Sequence, residues 1–252
     1  MDSLTVIGVI PARYGSSRLP GKALKTISGI PMIQRVYERS CYARVLSAVY
    51  VATDDERIAE VIRACGGRTI LTSQAHPSGT DRIAEAIQTF DADIVVNIQG
   101  DQPFIDPLMI DEVVQPFLEE PDLLMATVMH PIDGEQDLQD PSVVKVVTDL
   151  QGNALYFSRS LLPYPRERIP HAVYEHVGLY AYRREFLLKL ASLQPTPLER
   201  IESLEQLRVL EHGFRMRVVE TKCRDNEFSG FSVDTEEDLA RAEAMLASRG
   251  LL

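Results

Sequence analysis

The sequence is poor in cysteine and in long apolar stretches. Only three of its 252 residues are cysteines, at positions 41, 65 and 223. An odd number at such spacing fits neither a disulfide framework nor a zinc motif, and it favours reduced thiols in the cytoplasm. No apolar run approaches the roughly 18 residues that a membrane helix needs. The sequence therefore predicts a cytoplasmic protein with no membrane partner.

Positive charge is also scarce. The chain has 26 Lys and Arg against 37 Asp and Glu, for a formal net charge of −11. Proteins that bind nucleic acids usually carry a basic surface and a high pI, so nucleic acid is not an expected partner. An acidic protein can still bind phosphate where one loop concentrates its cations.

Strands and helices alternate through the first hundred residues. Apolar, β-rich runs cover residues 4–11, 48–53, 69–72 and 93–98, and segments with helical periodicity separate them. This rhythm is typical of βαβ units, which form a parallel sheet. Right-handed crossovers place the strand C-termini on one edge, where ligands usually bind.

The middle of the chain has a different pattern. Strands are predicted over 124–132, 143–149, 154–158 and 177–182, without long helices between them. We interpret this as a β-rich, antiparallel insert around 124–182 within a single domain, 1–252. Beyond it the periodicity predicts helices over 186–193, 197–211 and 235–246, and a strand over 214–220.

The first loop, PARYGSSRLPGK, is a candidate phosphate-binding segment. It follows a strand, and Arg13, Arg18 and Lys22 supply positive charge where glycines let backbone N–H groups approach phosphate oxygens. It is not a P-loop, because five residues separate Gly15 from Gly21 where a P-loop has four. A solvated basic loop would show the same composition.

Two acidic residues are candidate magnesium ligands. Asp101 follows the strand of VVNIQGDQP, and Asp234 precedes a helix in FSVDTEEDL. Mg²⁺ takes one or two carboxylates together with phosphate oxygens. Asp101 could instead begin a turn. Thr235 and Asp238 have the spacing of a capping box, which leaves Asp234 outside the cap.

Other polar residues fall in two groups. In HPSGTDR, Gly79, Thr80 and Arg82 could contact a base, although Ser78 or Thr80 could equally cap the following helix. The second group consists of polar residues spread along the second half of the chain. Each could bind a ligand, but it could also have a purely structural role, as a histidine in the core or as part of a solvated helix face. The group comprises Arg159, His176, Tyr180, Glu205 and Gln206. His176 and Tyr180 are four apart, so in a regular strand both point to one face.

Taken together, these segments resemble the CMP-KDO synthetase family (KDO is 3-deoxy-manno-octulosonate). The segments that carry the resemblance span nearly the whole chain in the right order, and include IPARYGSSRLPGK, VVNIQGDQPFI, ALYFSR, HVGLYAYRREFL and IESLEQLRVLEHG. The resemblance implies an α/β three-layer sandwich with a mixed, mostly parallel sheet and a β-rich insert used for homodimerisation. It implies a cytidylyltransferase that uses CTP, KDO and Mg²⁺ in lipopolysaccharide synthesis.

The resemblance also implies roles for individual residues. For the nucleotide, these are Ala12, Arg13, Gly15, Lys22, Gly79, Thr80 and Arg82. For the sugar acid, they are Gln99, Arg159, His176, Tyr180, Glu205 and Gln206. Asp101 and Asp234 would hold Mg²⁺, and together with Arg13 and Lys22 they form the implied catalytic set.

Four alternatives stay open at this point, and one of them is a catalytically silent binding or regulatory protein. A cytidylyltransferase for a related acidic sugar, such as 8-amino-KDO or sialic acid, would share the nucleotide segments. Methylerythritol-phosphate cytidylyltransferases share the fold. A sugar-nucleotide-binding glycosyltransferase would share the βαβ half and the acidic metal site but would release no pyrophosphate.

Overall fold

The computed structural model describes residues 4–250 except 17, 168, 224, 226, 227 and 229. The described strands are β1 Val6–Ala12, β2 Thr26–Ile27, β3 Ile30–Pro31, β4 Ala48–Thr53, β5 Arg68–Leu71, β6 Ile94–Asn97, β7 Met125–Pro131, β8 Lys145–Thr148, β9 Ala154–Ser158, β10 Tyr174–Arg183 and β11 Arg217–Glu220. The described α-helices are α1 Met32–Ser40, α2 Glu56–Ala64, α3 Gly79–Ala86, α4 Pro107–Val114, α5 Pro116–Glu119, α6 Glu135–Gln139, α7 Arg184–Ser192, α8 Pro197–Glu202, α9 Leu207–Glu211 and α10 Glu236–Ser248.

The chain forms two compact units. Unit 1 combines residues 1–111 with 222–252, and unit 2 comprises residues 112–221. Unit 2 contains more residues than the insert around 124–182 that the sequence suggests. The assignment of residues 1–252 to a single domain stays a prediction. No helix in the described part of the chain is both long and apolar enough to cross a membrane.

Unit 1 contains the parallel sheet that the alternating pattern predicts. Its strand order is β6-β1-β4-β5, and every neighbouring pair is parallel. β1 is buried along most of its length and lies between β4 and β6, which explains its continuous apolar run. The C-terminal ends of β1, β4 and β6 therefore share one edge of the sheet.

Unit 2 contains the predicted β-rich region. β7 pairs antiparallel with β10 and parallel with β11, while β8 pairs antiparallel with both β10 and β9. The described strand pairs within residues 124–182 are therefore all antiparallel, and β11 adds a parallel pair from outside that range.

One predicted helix is wrong. The sequence predicts a continuous helix over 197–211, but α8 ends at Glu202 and α9 starts at Leu207. Ser203 adopts a left-handed conformation with φ 53°, which a continuing α-helix does not allow. Leu204 is buried after the break. Glu205 and Gln206 consequently lie in a turn rather than on a solvated helix face.

Candidate active site

The loop after β1 is held in a compact turn. The backbone oxygen of Tyr14 accepts hydrogen bonds from the backbone N–H groups of Ser16, at 3.0 Å, and Gly21, at 3.2 Å. Gly21 has φ 67°, a conformation that residues with a Cβ rarely adopt. A short 3-10 helix over Lys22–Leu24 follows it. The turn thus fixes the backbone position from which the Lys22 side chain extends. Arg13, at the beginning of the loop, is exposed.

Lys22 joins the two predicted metal ligands. Its Nζ donates to Asp101 Oδ2 at 2.8 Å and to Asp234 Oδ1 at 2.9 Å. Burial alone would lower the pKa of Lys22, but the two carboxylates outweigh it and the pKa is raised. The lysine is therefore an ammonium ion at neutral pH. Arg18 adds a second cation, with its Nη2 3.1 Å from Asp234 Oδ1.

A hydrophobic cluster explains why these distant residues meet. Leu19, Phe104 and Val233 are buried in one cluster, and each is within three residues of Lys22, Asp101 or Asp234 in the sequence. Full burial of such side chains contributes about 1.5–3 kcal/mol each. The backbone N–H of Val233 also donates a hydrogen bond to the backbone carbonyl oxygen of Asp101, at 2.9 Å. Packing of apolar neighbours therefore brings the charged groups together.

The backbone around each acidic residue is also constrained. A Cβ on Gly100 would lie 3.0 Å from the backbone oxygen of Pro11, so a larger residue would push β1 and the segment after β6 apart by a few tenths of an ångström. Thr235 and Asp238 form the predicted capping box of α10, which is confirmed. The backbone N–H of Asp234 donates to the same Asp238 carboxylate at 3.0 Å. The Asp234 carboxylate itself stays available for Lys22, as the sequence suggests.

The residues present fit a magnesium ion that also binds a triphosphate. Asp101 and Asp234 lie close enough to contact the same lysine nitrogen. Two carboxylates are what Mg²⁺ takes alongside phosphate oxygens. No cluster of three or more His, Cys, Asp or Glu among the described residues could hold a metal by protein side chains alone. The cleft around the pair measures about 260 Å³. Its lining includes Ala12, Arg13, Ser16, Arg18, Lys22, Gln99 and Asp234.

The predicted base-contact segment has a structural task. Ser78 caps α3 by accepting a hydrogen bond from the N–H of Asp81, which decides between Ser78 and Thr80 as the cap. Arg82 is only 3% exposed and pairs with Asp54 at 2.9 Å. Its Nη1 donates to Thr72 Oγ1 at 2.6 Å. Arg82 thus links α3 to the ends of β4 and β5, and its contact with cytosine stays a prediction, as do those of Gly79 and Thr80.

In unit 2, His176 is a buried neutral imidazole. Burial lowers its pKa to about 3. The hydroxyl of Thr127 donates to the Leu179 oxygen at 2.8 Å, so it accepts from His176 Nε2, 3.0 Å away. Gln206 Nε2 lies 3.5 Å from His176 Nδ1, which leaves Nδ1 as the acceptor. Both ring nitrogens are therefore engaged within unit 2.

The rings of His176 and Tyr180 lie close together where the register of β10 shifts. The register between β10 and β7 shifts between Val177 and Tyr180. Four residues of regular strand would span about 13 Å, yet the two ring centroids are 5.4 Å apart. Burial, with a smaller contribution from Glu205, raises the pKa of Tyr180. Tyr180 is therefore a protonated hydrogen-bond donor at neutral pH.

Arg159 is held by backbone oxygens. Its guanidinium donates to the oxygens of Glu202 at 2.8 Å and Pro141 at 2.8 Å, with a longer contact of 3.4 Å to Ser203. Within the described part of the chain no carboxylate forms an ion pair with it. An oriented cation whose charge no carboxylate compensates is suited to bind an anion.

The other predicted sugar residues are divided between the units. Gln99 belongs to unit 1, where it lines the cleft around Lys22. The remaining residues belong to unit 2. Glu205 lies 3.8 Å from Arg208, which in turn pairs with Glu199.

Sequence reasoning missed three supporting residues. Asp54 could have been found, because it follows β4 as Asp101 follows the end of β6. Thr127 and Glu202 carried no signal, because their partners lie 49 and 43 residues away.

Comparisons with known proteins identify the family. A family model described as "Cytidylyltransferase" matches residues 7–222. The 3-deoxy-manno-octulosonate cytidylyltransferase of Geobacter metallireducens is 51% identical, with 97% of this chain and 98% of that protein covered. Its counterpart in Geotalea daltonii is 50% identical, with 98% and 100% covered. The chain belongs to the 3-deoxy-manno-octulosonate cytidylyltransferase family.

Solved structures support the same family. A CMP:2-keto-3-deoxy-manno-octonic acid synthetase complexed with CTP is 43% identical and matches with a TM-score of 0.89, over 97% of this chain and 99% of that one. A 4-diphosphocytidyl-2C-methyl-D-erythritol synthase from Anaerococcus prevotii has a TM-score of 0.62 at 13% identity, which shows the fold alone. The α/β class with a mixed, mostly parallel sheet, as the cytidylyltransferase resemblance implies, is confirmed.

Proposed function

We propose that this chain transfers the cytidylyl group of CTP to KDO, forming CMP-KDO and pyrophosphate. The observation that carries the proposal is the Lys22 ammonium joined to Asp101 and Asp234 at the C-terminal edge of a parallel sheet. This arrangement supplies one cation for phosphate oxygens and two carboxylates for a divalent metal. Full-length identity of 51% to a protein named for this reaction supports the choice of substrates.

In the proposed reaction, the anomeric hydroxyl oxygen of the sugar attacks the α-phosphorus of CTP in line with the leaving group. A new P–O bond forms, the bond from the α-phosphorus to the bridging oxygen breaks, pyrophosphate leaves with that electron pair, and the hydroxyl proton is released to solvent. Lys22 and Arg13 stabilise the negative charge that develops on the phosphates. Such a reaction needs no protein nucleophile, since positioning and electrostatics supply most of the rate gain.

Magnesium is proposed as the cofactor. Asp101 and Asp234 would hold it, and the ion would neutralise and orient the phosphate oxygens. Ala12 and Gly15 would add backbone contacts to the triphosphate, and Gly79, Thr80 and Arg82 would lie at the base.

The sugar acid is proposed to bind through Arg159 rather than through a charged histidine. His176 stays neutral because burial keeps its pKa near 3, so it cannot compensate a carboxylate at neutral pH. The Arg159 guanidinium is charged and oriented by carbonyl oxygens. Tyr180, Glu205 and Gln206 would then read the sugar hydroxyls, while His176 would orient Gln206 through its Nδ1.

A homodimer in the cytoplasm completes the proposal. Six large apolar side chains are exposed among the described residues of unit 2, and four of them lie between residues 124 and 182: Leu150, Leu155, Tyr164 and Ile169. Such exposure fits an interface in the β-rich region.

The test is pyrophosphate release from CTP, Mg²⁺ and KDO. Parallel reactions replace KDO with 8-amino-KDO, sialic acid, methylerythritol phosphate or no acceptor, and replace CTP with ATP, GTP or UTP. We expect release with CTP and KDO. Release only with another acid sugar would overturn the substrate, and no release from folded protein that binds CTP would favour a binding protein or a glycosyltransferase.

A further inference from the structure

The Lys22 ammonium occupies the position between the two carboxylates that a divalent cation also needs. Both hydrogen bonds are short, 2.8 and 2.9 Å, and they use one oxygen of each carboxylate. The lysine side chain is only 17% exposed, so water screens these ion pairs less than it screens surface pairs. A doubly charged ion at 2.0–2.1 Å from the same oxygens would meet the ammonium at close range.

Nucleotide binding supplies the alternative partner for Lys22. The lysine sits at the start of the 3-10 helix that ends the phosphate-binding loop, and its flexible four-carbon stem permits the ammonium to turn. The oxygens of a triphosphate can replace Asp101 and Asp234 as its acceptors. The carboxylates are then released for the cation that the same triphosphate helps to coordinate.

We propose that Lys22 is an internal counter-cation that excludes divalent cations from Asp101 and Asp234 until a nucleotide triphosphate takes over the ammonium. This inference rests on the proposed function and adds a binding order to it. The nucleotide enters before the cation or together with it. Because coupling between two ligands is reciprocal, the nucleotide must raise cation affinity by the same factor by which the cation raises nucleotide affinity.

Arg18 strengthens the exclusion by a smaller amount. Its Nη2 contacts the same Asp234 oxygen as Lys22, at 3.1 Å, but its side chain is 67% exposed. Solvent screens an exposed pair, so Lys22 carries most of the effect.

The experiment titrates Mn²⁺ into nucleotide-free protein and follows the EPR signal of the unbound ion. Lys22→Met keeps an unbranched side chain only one atom shorter and removes its charge. We expect the nucleotide-free variant to bind Mn²⁺ about ten-fold or more tightly than the parent, a coupling of ordinary size. We also expect CTP, added without sugar, to tighten Mn²⁺ binding by a larger factor in the parent than in the variant.

Two further variants make the result specific. Lys25→Met removes a neighbouring lysine that pairs with Glu236 at 2.7 Å, and it should leave Mn²⁺ affinity unchanged. Adding Asp234→Asn to Lys22→Met should abolish the gain. Lys22→Ala replaces Lys22→Met if circular dichroism shows that the methionine variant is unfolded.

Equal Mn²⁺ affinity in the nucleotide-free parent and a folded Lys22 variant would overturn the counter-cation role. So would a gain that survives Asp234→Asn. Pyrophosphate release by the parent, measured on the same preparation, tests the proposed function separately, because it does not depend on the order in which ligands bind.

Discussion

Glu202 holds Arg159 at two points. One oxygen of the Glu202 carboxylate accepts the backbone N–H of Arg159 at 3.0 Å, and the backbone oxygen of Glu202 accepts from Arg159 Nε at 2.8 Å. The other carboxylate oxygen accepts from Ser158 Oγ at 2.6 Å. The end of β9 and the end of α8 are thereby fixed to each other, and the direction of the guanidinium with them.

We expect Glu202→Ala to raise the KM for KDO by about ten-fold, equivalent to about 1.4 kcal/mol of binding free energy. The KM for CTP should not change, because Arg159 is assigned to the sugar acid. Steady-state kinetics with each substrate varied in turn measures both values. The control is Glu185→Ala, because the side chain of Glu185, in α7, is 81% exposed. An equal rise in both KM values would point to a general loss of structure.

Replacing Lys22 should damage catalysis more than folding. We expect Lys22→Ala to lower kcat/KM by about 10²–10³-fold, the usual effect of removing a group that stabilises charge in the transition state. Lys25→Ala, which breaks an exposed pair with Glu236, should change kcat/KM little. Activity within a few-fold of the parent would remove Lys22 from the triphosphate.

Asp234→Asn should weaken the dependence on magnesium. Loss of one carboxylate charge is expected to raise the Mg²⁺ concentration for half-maximal turnover by roughly ten-fold or more. The fold should persist, because the cap of α10 uses Thr235 and Asp238 instead. Glu236→Gln is the matched control at the neighbouring exposed carboxylate. An unchanged magnesium titration would contradict the two-carboxylate site.

The variant Arg82→Ala distinguishes a role of Arg82 in the stability of the fold from a role in nucleotide binding. It leaves Asp54, only 14% exposed, without its partner, so we expect a loss of about 3–5 kcal/mol in the free energy of unfolding. Arg63→Ala removes a half-exposed partner of Glu56 and should cost less than about 1 kcal/mol. Similar losses in the two variants, with a raised KM for CTP in Arg82→Ala, would assign Arg82 to the base rather than to the fold.

His176 should make the protein sensitive to mild acid. Burial depresses its pKa from 6.5 to about 3, so the folded state binds fewer protons than the unfolded state between these values. The contribution of His176 is complete above pH 6.5 and falls with the pH below it. Between pH 7.5 and 5.5 the loss amounts to about 1.4 kcal/mol.

Urea unfolding at the two pH values measures this loss. His176→Gln, which cannot be protonated, should lose about 1.4 kcal/mol less than the parent over this pH range. His171→Gln, at an exposed position, is the matched control. Identical pH dependence in all three proteins would mean that His176 is not held neutral.

Local chemistry is what the sequence by itself determined. Apolar, β-rich runs predicted the four parallel strands of unit 1, and the runs in β1, β4 and β6 follow from the burial of those strands. The capping box of Thr235 and Asp238 was also predictable, because its two partners lie only three residues apart in the sequence. The family could be identified from segments spread along the chain.

Only the tertiary structure decided which groups meet. Lys22 lies 79 residues from Asp101 and 212 from Asp234, and their contacts depend on strand order and on the packing of Leu19, Phe104 and Val233. The break at Ser203 also escaped prediction, because a single left-handed residue leaves helical periodicity on both sides intact. Apolar periodicity indicates which side of a helix or strand is buried, but it does not indicate which other element packs against that side. Ion pairs between distant residues can therefore be identified only from the tertiary structure.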